Sequence, residues 1–221
     1  MSTSERKKRE RLQRKNTILD AAEKLLLEKD FDTVKMDEIA ASSEVSKGTV
    51  YLYFKNKTEI VVALMNRGIQ VVHQQLAKEI TGPGTGLEIL QRMSRVFFRF
   101  ANDQPQFFKS VMYTESIGLK AIKELKGTDT IQEIEELDSS LFNFVKRAVQ
   151  IGIQDGSIDN VFRPEYVTIQ IMAATRGLMQ QIIYREEGLF MAPGADIETI
   201  TFEQLLEDYL VMLVRSLKPQ K

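Results

Sequence analysis

The chain has no cysteine and only one histidine, His73, and each scarcity removes a class of site. Without cysteine there is no disulfide, no thiolate metal ligand and no cysteine nucleophile. A single histidine excludes a metal site built from several histidines. No signal-peptide run is present, and no stretch approaches the roughly 20 apolar residues of a membrane-spanning helix. We therefore expect a soluble, cytoplasmic protein with no metal, no cofactor and no membrane partner.

Catalytic and phosphate-binding motifs are also missing. The sequence contains no GxSxG, no GxxxxGK[ST] and no GxGxxG, and its glycine-rich segment 82–86 follows a helical pattern and has no lysine after it. Neighbouring carboxylates, such as Glu135 with Glu136, point in different directions on a helix, which is typical of a solvated surface. The sequence therefore predicts that the protein is not an enzyme.

Alternation of apolar and polar residues is absent, whereas helical periodicity recurs along the whole chain. The first stripe, from Ile18 to Leu26, follows the i, i+3, i+4, i+7 spacing of an amphipathic helix. The predicted helices are 16–28, 36–42, 47–54, 57–80, 87–102, a short one after Pro105, 131–154, 164–185 and 202–217. The predicted fold class is therefore all-α.

The segment 45–57, VSKGTVYLYFKNK, is the most informative part of the chain. A short helix precedes it, and Ser46 is placed to cap a second short helix after a tight turn. Two such helices form a helix-turn-helix, whose second helix enters the DNA major groove. Val50 and Phe54 can face inward, which leaves the other faces to phosphates and bases. The predicted DNA contacts are Lys47, Gly48, Thr49, Tyr51 and Tyr53, with Lys55 and Lys57 on phosphates and Lys35 as an auxiliary.

Positive charge is concentrated at the start of the chain. Residues 1–57 hold 13 Lys/Arg against 10 Asp/Glu, a balance of +3, while residues 58–221 hold 17 against 21, a balance of −4. Two interpretations of the first fifteen residues remain open, a basic arm that touches DNA and a frayed, solvated terminus. The basic residues of this segment are Arg6, Lys7, Lys8, Arg9, Arg11, Arg14 and Lys15.

The same region resembles the N-terminal domain of the TetR family of bacterial transcription repressors. The matching positions are Ile18, Ala21, Ala22, Leu25, Met36, Ile39, Ala40, the segment 45–51 and the segment 53–57. The resemblance implies a three-helix DNA-binding domain, residues 1–56, followed by a larger helical ligand-binding and dimerisation domain, residues 57–221, and it supports Tyr51 and Lys57 as contacts. Three positions depart from the family pattern. Asp30 stands where glycine is frequent, a mild change because aspartate tolerates a left-handed turn conformation. Glu44 stands where glycine is frequent and must find another way round the turn, and Lys35 replaces a capping hydroxyl.

The last two predicted helices are apolar on more than one face, so each needs more than one partner. A four-helix dimer interface satisfies this requirement and is also what the resemblance implies; a thick monomeric core is the alternative. Large apolar groups in the second domain suggest a pocket for a small molecule, although Met and Phe at helical spacing most often belong to an ordinary core. Arg176, on an apolar helix, either pairs with a carboxylate or serves an anionic ligand group. The candidate pocket residues are Phe97, Phe100, Phe108, Met112, Tyr113, Met172, Arg176 and Met179.

We therefore hypothesise a homodimeric transcriptional repressor that binds a palindromic double-stranded DNA operator. A small, hydrophobic effector in the second domain would release it, with the helix 57–80 as the lever between ligand and DNA. The alternative is a helix-turn-helix protein with no inducer, which would act as an architectural or partner-recruiting factor.

Overall fold

The computed structural model describes residues 3–29, 31–104, 107, 110, 125, 127–186 and 201–219. Within these ranges the chain forms eight helices and no strand, which confirms the all-α prediction. The helices are α1 (Thr3–Glu28), α2 (Met36–Ser42), α3 (Lys47–Tyr53), α4 (Lys57–Ile80), α5 (Gly86–Asp103), α6 (Asp129–Asp155), α7 (Pro164–Glu186) and α8 (Phe202–Leu217).

The predicted bounds of α2, α4 and α8 agree with the structure, and those of α3, α5, α6 and α7 differ by one or two residues. The predicted start of α1 is wrong, because the helix begins at Thr3 rather than at residue 16. The basic segment contains no glycine or proline, and its Lys, Arg, Glu and Gln residues are good helix formers. Arg6 also pairs with Glu10 one turn later, at 2.8 Å. The loop predicted around 188–196 lies outside the described residues, and of the short helix predicted after Pro105 only Phe107 and Ser110 are described.

The described residues separate into two compact units. The first holds the residues up to Gly68 together with those from Ser110 to Glu133, and the second holds Ile69 to Phe107 together with Ile134 onward. The division thus falls within α4, whereas the boundary predicted from the sequence lies at the first residue of that helix. The core of the first unit consists of Ile18, Leu19, Ala22, Leu26, Val34, Ile39, Ala40, Val50, Phe54, Ile60, Ala63 and Leu64.

Ionic contacts join the first turns of α4 to α1 inside the first unit. One guanidinium nitrogen of Arg67 lies 2.6 Å from Asp20 and 3.1 Å from Glu23, both on one face of α1. The Arg67 and Glu23 side chains are each 28% exposed, so their pair is better shielded from water than an ordinary surface pair, whereas the Asp20 side chain is 67% exposed. They fix α4 against the helix that supports the helix-turn-helix.

In the second unit, α5 and α6 meet backbone to backbone. A Cβ built on Gly86 would lie 2.0 Å from the amide nitrogen of Gly152, so only glycine permits this approach. The end of α6 also caps the start of α5, because the Gly86 N–H donates to the Asp155 carboxylate at 2.8 Å and the Leu87 N–H donates to the Ser157 hydroxyl at 3.2 Å. These contacts satisfy two amides that a helix start leaves unpaired.

None of the helices in the described ranges is sufficiently long and apolar to cross a lipid bilayer. The same residues contain no group of three or more metal-ligating side chains close enough to hold an ion.

Candidate nucleic-acid interface

The turn between α2 and α3 is a Schellman motif closed by a glutamate. The Val45 N–H donates to the Ala40 carbonyl and the Glu44 N–H donates to the Ala41 carbonyl, each at 3.2 Å. Glu44 itself adopts the left-handed conformation, with φ of 54°. The expectation that it would find another way round the turn is therefore wrong. The motif's two hydrogen bonds hold a residue with a Cβ in a conformation that favours glycine.

Helix α3 is short and is held at both ends. At its start the Thr49 N–H donates to the Ser46 Oγ at 3.1 Å, and the two hydroxyl oxygens are 2.8 Å apart. At its end Phe54 is buried, as is Val50 on the same face. The predicted cap and the predicted inward face are thus both confirmed. A helix of seven residues is too short to be stable alone, so these contacts determine its orientation.

The outward surface of α3 is open to solvent. Lys47 and Gly48 are exposed, and a Cβ built on Gly48 would meet nothing closer than 3.9 Å. Tyr51 is 44% exposed and Leu52 is 76% exposed. Leu52 was not among the predicted contacts, because an apolar residue in a short helix is usually assigned to the core. The sequence did contain a sign of this exposure. Val50 and Phe54 occupy the inner face of the helix, and a residue midway between them points to the opposite side.

Two predicted contacts on α3 are less accessible. Tyr53 is half-buried and packs against the core of the first unit, so only part of its ring is open. Thr49 is also half-buried, and its hydroxyl lies beside the capping hydroxyl of Ser46.

Lys47 forms an ion pair across the two motif helices. Its ammonium lies 2.7 Å from the carboxylate of Asp37 in the first turn of α2, with both side chains more than half exposed. The hydrogen bond to Asp37 raises the pKa of Lys47, so the cation is firmly charged. Any phosphate that approaches Lys47 must share it with this carboxylate.

Lys35 and Lys55 are exposed at the starts of α2 and α4. The Lys35 side chain makes no cap, as expected, and its backbone N–H donates to Glu38 at 2.9 Å. Glu38 also accepts from Lys29 at 2.6 Å, and this bond, followed by that from Lys35, lowers the pKa of Glu38. The Lys55 N–H donates to Glu59 at 2.8 Å, while its ammonium is available to solvent.

The structure places Lys57 differently from the other lysines. Its ammonium is directed into the turn between α1 and α2, where it donates to the carbonyls of Phe31, Asp32 and Val34 at 2.6, 3.1 and 3.1 Å. It also lies 4.5 Å from the centre of the Phe31 ring. The predicted phosphate ligand is therefore engaged with the protein itself.

The candidate ligand residues of the second unit are only partly described. Phe100 is buried and its ring centre lies 5.1 Å from that of Phe107, while Phe97 and Met172 are half-buried. Arg176 is exposed within this chain, and its role stays a prediction. Outside the described residues lie Phe108, Met112 and Tyr113, together with the side chain of Met179.

Comparisons with known proteins agree with this geometry. The sequence profile described as bacterial regulatory proteins, tetR family, matches residues 18–64. The chain is 30% identical over 158 residues to the uncharacterised HTH-type transcriptional regulator YvkB of Bacillus subtilis, a match that covers 61% of this chain and 82% of that protein.

Solved structures show the same fold. The regulator FadR from Bacillus subtilis, in complex with stearoyl-CoA, superposes with a TM-score of 0.66 at 20% identity, over 90% of this chain and 96% of that one. AibR, in complex with isovaleryl coenzyme A and operator DNA, superposes with a TM-score of 0.62 at 22% identity, over 91% of this chain and 98% of that one. This chain belongs to the tetR family of bacterial regulatory proteins and is a DNA-binding transcriptional regulator, not an enzyme.

Proposed function

We propose that the protein is a homodimeric repressor that holds a near-palindromic operator and releases it on binding an acyl-CoA. The observation that carries the DNA part of this proposal is the outward surface of α3. A capped and buried scaffold presents Lys47, Gly48, Tyr51 and Leu52 to solvent. Lys35 and Lys55 supply further cations for phosphates at the edges of this surface.

A second copy of the chain would extend the contact with DNA. One seven-residue helix spans only a few base pairs, whereas two copies related by a dyad would enter successive major grooves about 34–36 Å apart. Such an arrangement predicts a palindromic site and adds the DNA contacts of both copies of α3. It also makes operator affinity sensitive to the spacing between them.

The dimer interface is proposed on α7 and α8. Large apolar side chains remain exposed there, with Ile169 at 56% on α7 and Met212 at 67% on α8, accompanied by Tyr166 and Val211. At Gly177, also on α7, an added Cβ would meet open space, so this helix surface permits close approach. Burying these groups against a second copy would stabilise the dimer by about 25 cal/mol for each Å² of apolar surface removed from water.

The effector class is proposed from the two similar structures that hold CoA thioesters. Phe97, Phe100 and Met172 are apolar groups suited to an acyl chain, and an exposed guanidinium such as Arg176 suits phosphate groups of the nucleotide. Release requires that the acyl-CoA favour the conformation that does not bind DNA. A coupling of about 1–3 kcal/mol, roughly five- to 150-fold in operator affinity, is the usual scale.

The proposed operator binding is tested by selecting DNA from a random pool and footprinting the protein on the selected sequence. We expect two protected half-sites whose centres lie about one helical turn apart. Gly48→Ala is the matched variant, because the new methyl is accommodated in the free protein but obstructs close approach of the backbone to DNA. A single unpaired half-site would contradict the dimeric model.

Titration of the bound operator with acyl-CoAs of increasing chain length tests the effector. We expect at least one thioester to release DNA, whereas free CoA and the matching free fatty acid do so weakly. If no thioester changes operator affinity or melting temperature, the proposed effector class is wrong. A reporter gene under the selected operator distinguishes repression from activation.

A further inference from the structure

We infer that Lys57 is a positioning residue of the DNA-binding unit, which acts through backbone carbonyls rather than through a phosphate. The inference rests on DNA recognition by α3 and does not depend on the proposed dimer or effector. It concerns one ammonium group and the turn that it closes.

The donor capacity of Lys57 is fully used inside the protein. An ammonium has three hydrogens, and the structure offers it three carbonyl oxygens, of Phe31, Asp32 and Val34, within 3.1 Å. Hydrogen bonds from a charged donor are stronger than neutral ones. A phosphate contact would have to displace at least one of them.

The surroundings of the ammonium strengthen this arrangement. The Phe31 ring, which packs against the core of the first unit, lies 4.5 Å from Nζ in a cation–π contact. Lys57 is half-buried, whereas Lys55, two residues earlier, is exposed. The two neighbouring lysines therefore occupy different environments, although the sequence alone makes them equivalent.

The contacts of Lys57 join the start of α4 to the turn between α1 and α2. Lys57 is the first residue of α4, and Asn56 caps that helix by accepting the Glu59 N–H at 2.9 Å. Phe54, buried at the end of α3, lies two residues before Asn56. The ammonium thus fixes the junction between α3 and α4 onto the turn that joins α1 to α2. Loss of this tie would let α3 change its angle.

Salt-dependent DNA binding separates the two roles. Lys57→Met, Lys57→Arg and the matched control Lys55→Met are titrated with the selected operator and with random DNA across a range of salt concentrations. A lost phosphate contact weakens both DNAs alike and reduces the salt slope by about one, and we expect this for Lys55→Met.

For Lys57→Met we expect an unchanged salt slope, with operator affinity reduced at least about tenfold, the scale of a lost charge-assisted hydrogen bond. Random DNA should be bound nearly as well as by the unaltered protein, so the ratio of operator to random affinity falls. A purely structural residue would lower the melting temperature without changing this ratio in the folded protein. Lys57→Arg should not restore the ratio, because a planar guanidinium cannot match three converging carbonyls.

A salt slope reduced by about one in Lys57→Met, with operator and random DNA weakened equally, would overturn the inference, as would full rescue by Lys57→Arg. Should Lys57→Met fail to fold, the unaltered protein decides the matter by NMR of its lysine ammonium groups. We expect the Lys57 signal to be protected from exchange and coupled to carbonyl carbons of the 31–34 turn, with and without operator. An exchanging signal without those couplings would overturn it. If the protein bound no DNA at all, the proposed function would fail while the NMR result still reported on Lys57.

Discussion

The carboxylate of Asp37 lies 2.7 Å from the ammonium of Lys47, so the first cation of α3 is partly neutralised by the helix before it. Both side chains are more than half exposed, which limits the stability that the pair contributes. We expect its effect on DNA binding to be larger, because a carboxylate beside the interface would repel phosphates and compete for the same ammonium.

We expect Asp37→Asn to bind DNA of any sequence several-fold more tightly than the unaltered protein and with a steeper salt dependence. The unaltered protein, Asp37→Asn, Lys47→Met and the double variant form a cycle whose coupling term isolates the pair. DNA titrations at several salt concentrations measure the affinity of each variant and its salt dependence. Weaker binding by Asp37→Asn would show that the carboxylate orients Lys47 productively.

Leu52 is the most exposed large apolar side chain on α3, at 76%, and the apolar feature of the major groove is the thymine methyl group. We expect Leu52→Ala to lower operator affinity by about 1 kcal/mol without lowering the melting temperature. Replacing the contacted thymine by uracil, which lacks the methyl, should weaken the unaltered protein but not Leu52→Ala. Equal losses for both proteins would place Leu52 away from the methyl group.

Glu44, in the turn between α2 and α3, adopts a left-handed backbone conformation with φ of 54°. Glycine would adopt it without a steric penalty. We expect Glu44→Gly to raise the free energy of unfolding by about 1 kcal/mol, because relief of the Cβ clash exceeds the added entropy of the unfolded glycine. Chemical denaturation measures the change. Glu44→Ala is the control and should show no gain, since it keeps the Cβ. A gain of the same size in both variants would point to the lost charge instead.

Asp155 caps the start of α5, and its ionisation depends on that role. Burial opposes the charge, but hydrogen bonds from Ser157 and from the Gly86 N–H outweigh it and lower the pKa of Asp155 below the usual range of an aspartate. A lowered folded pKa means that the contribution to stability is present above the unfolded pKa and is lost as pH falls through the folded value.

We therefore expect Asp155→Ala to lower the free energy of unfolding by about 1 kcal/mol at neutral pH, the cost of a lost cap. The difference from the unaltered protein should shrink below about pH 4 as the carboxylate protonates. Urea denaturation at several pH values measures it. A difference that did not change with pH would show that the charge is unimportant to the cap.

The helix-turn-helix was predictable because local signals define it. Ser46 caps α3, a turn precedes it, and Val50 and Phe54 share one face, so the sequence pattern alone predicts which surface is buried. The start of α1 was missed because the apolar stripe begins only at Ile18, close to the capping-type residue Asn16, whereas no glycine or proline interrupts the helix between residues 3 and 16.

The contacts of Lys57 could not be predicted from the sequence. Its partners are backbone carbonyls. Because every residue has a carbonyl, no pattern of side chains in the sequence identifies these partners. The exposure of Arg176 was missed because α7 is apolar around much of its circumference, and periodicity then fails to identify the buried side.

The residues that hold α3 in place and those that it displays are different sets. Ser46, Val50 and Phe54 anchor the helix, whereas Lys47 and Leu52 lie on its outer surface. Descendants of this chain can therefore acquire new operators by exchanging outer residues, with little penalty in folding. Such a division favours diversification of target genes after gene duplication, because a mutation that alters specificity need not await a compensating change in the core.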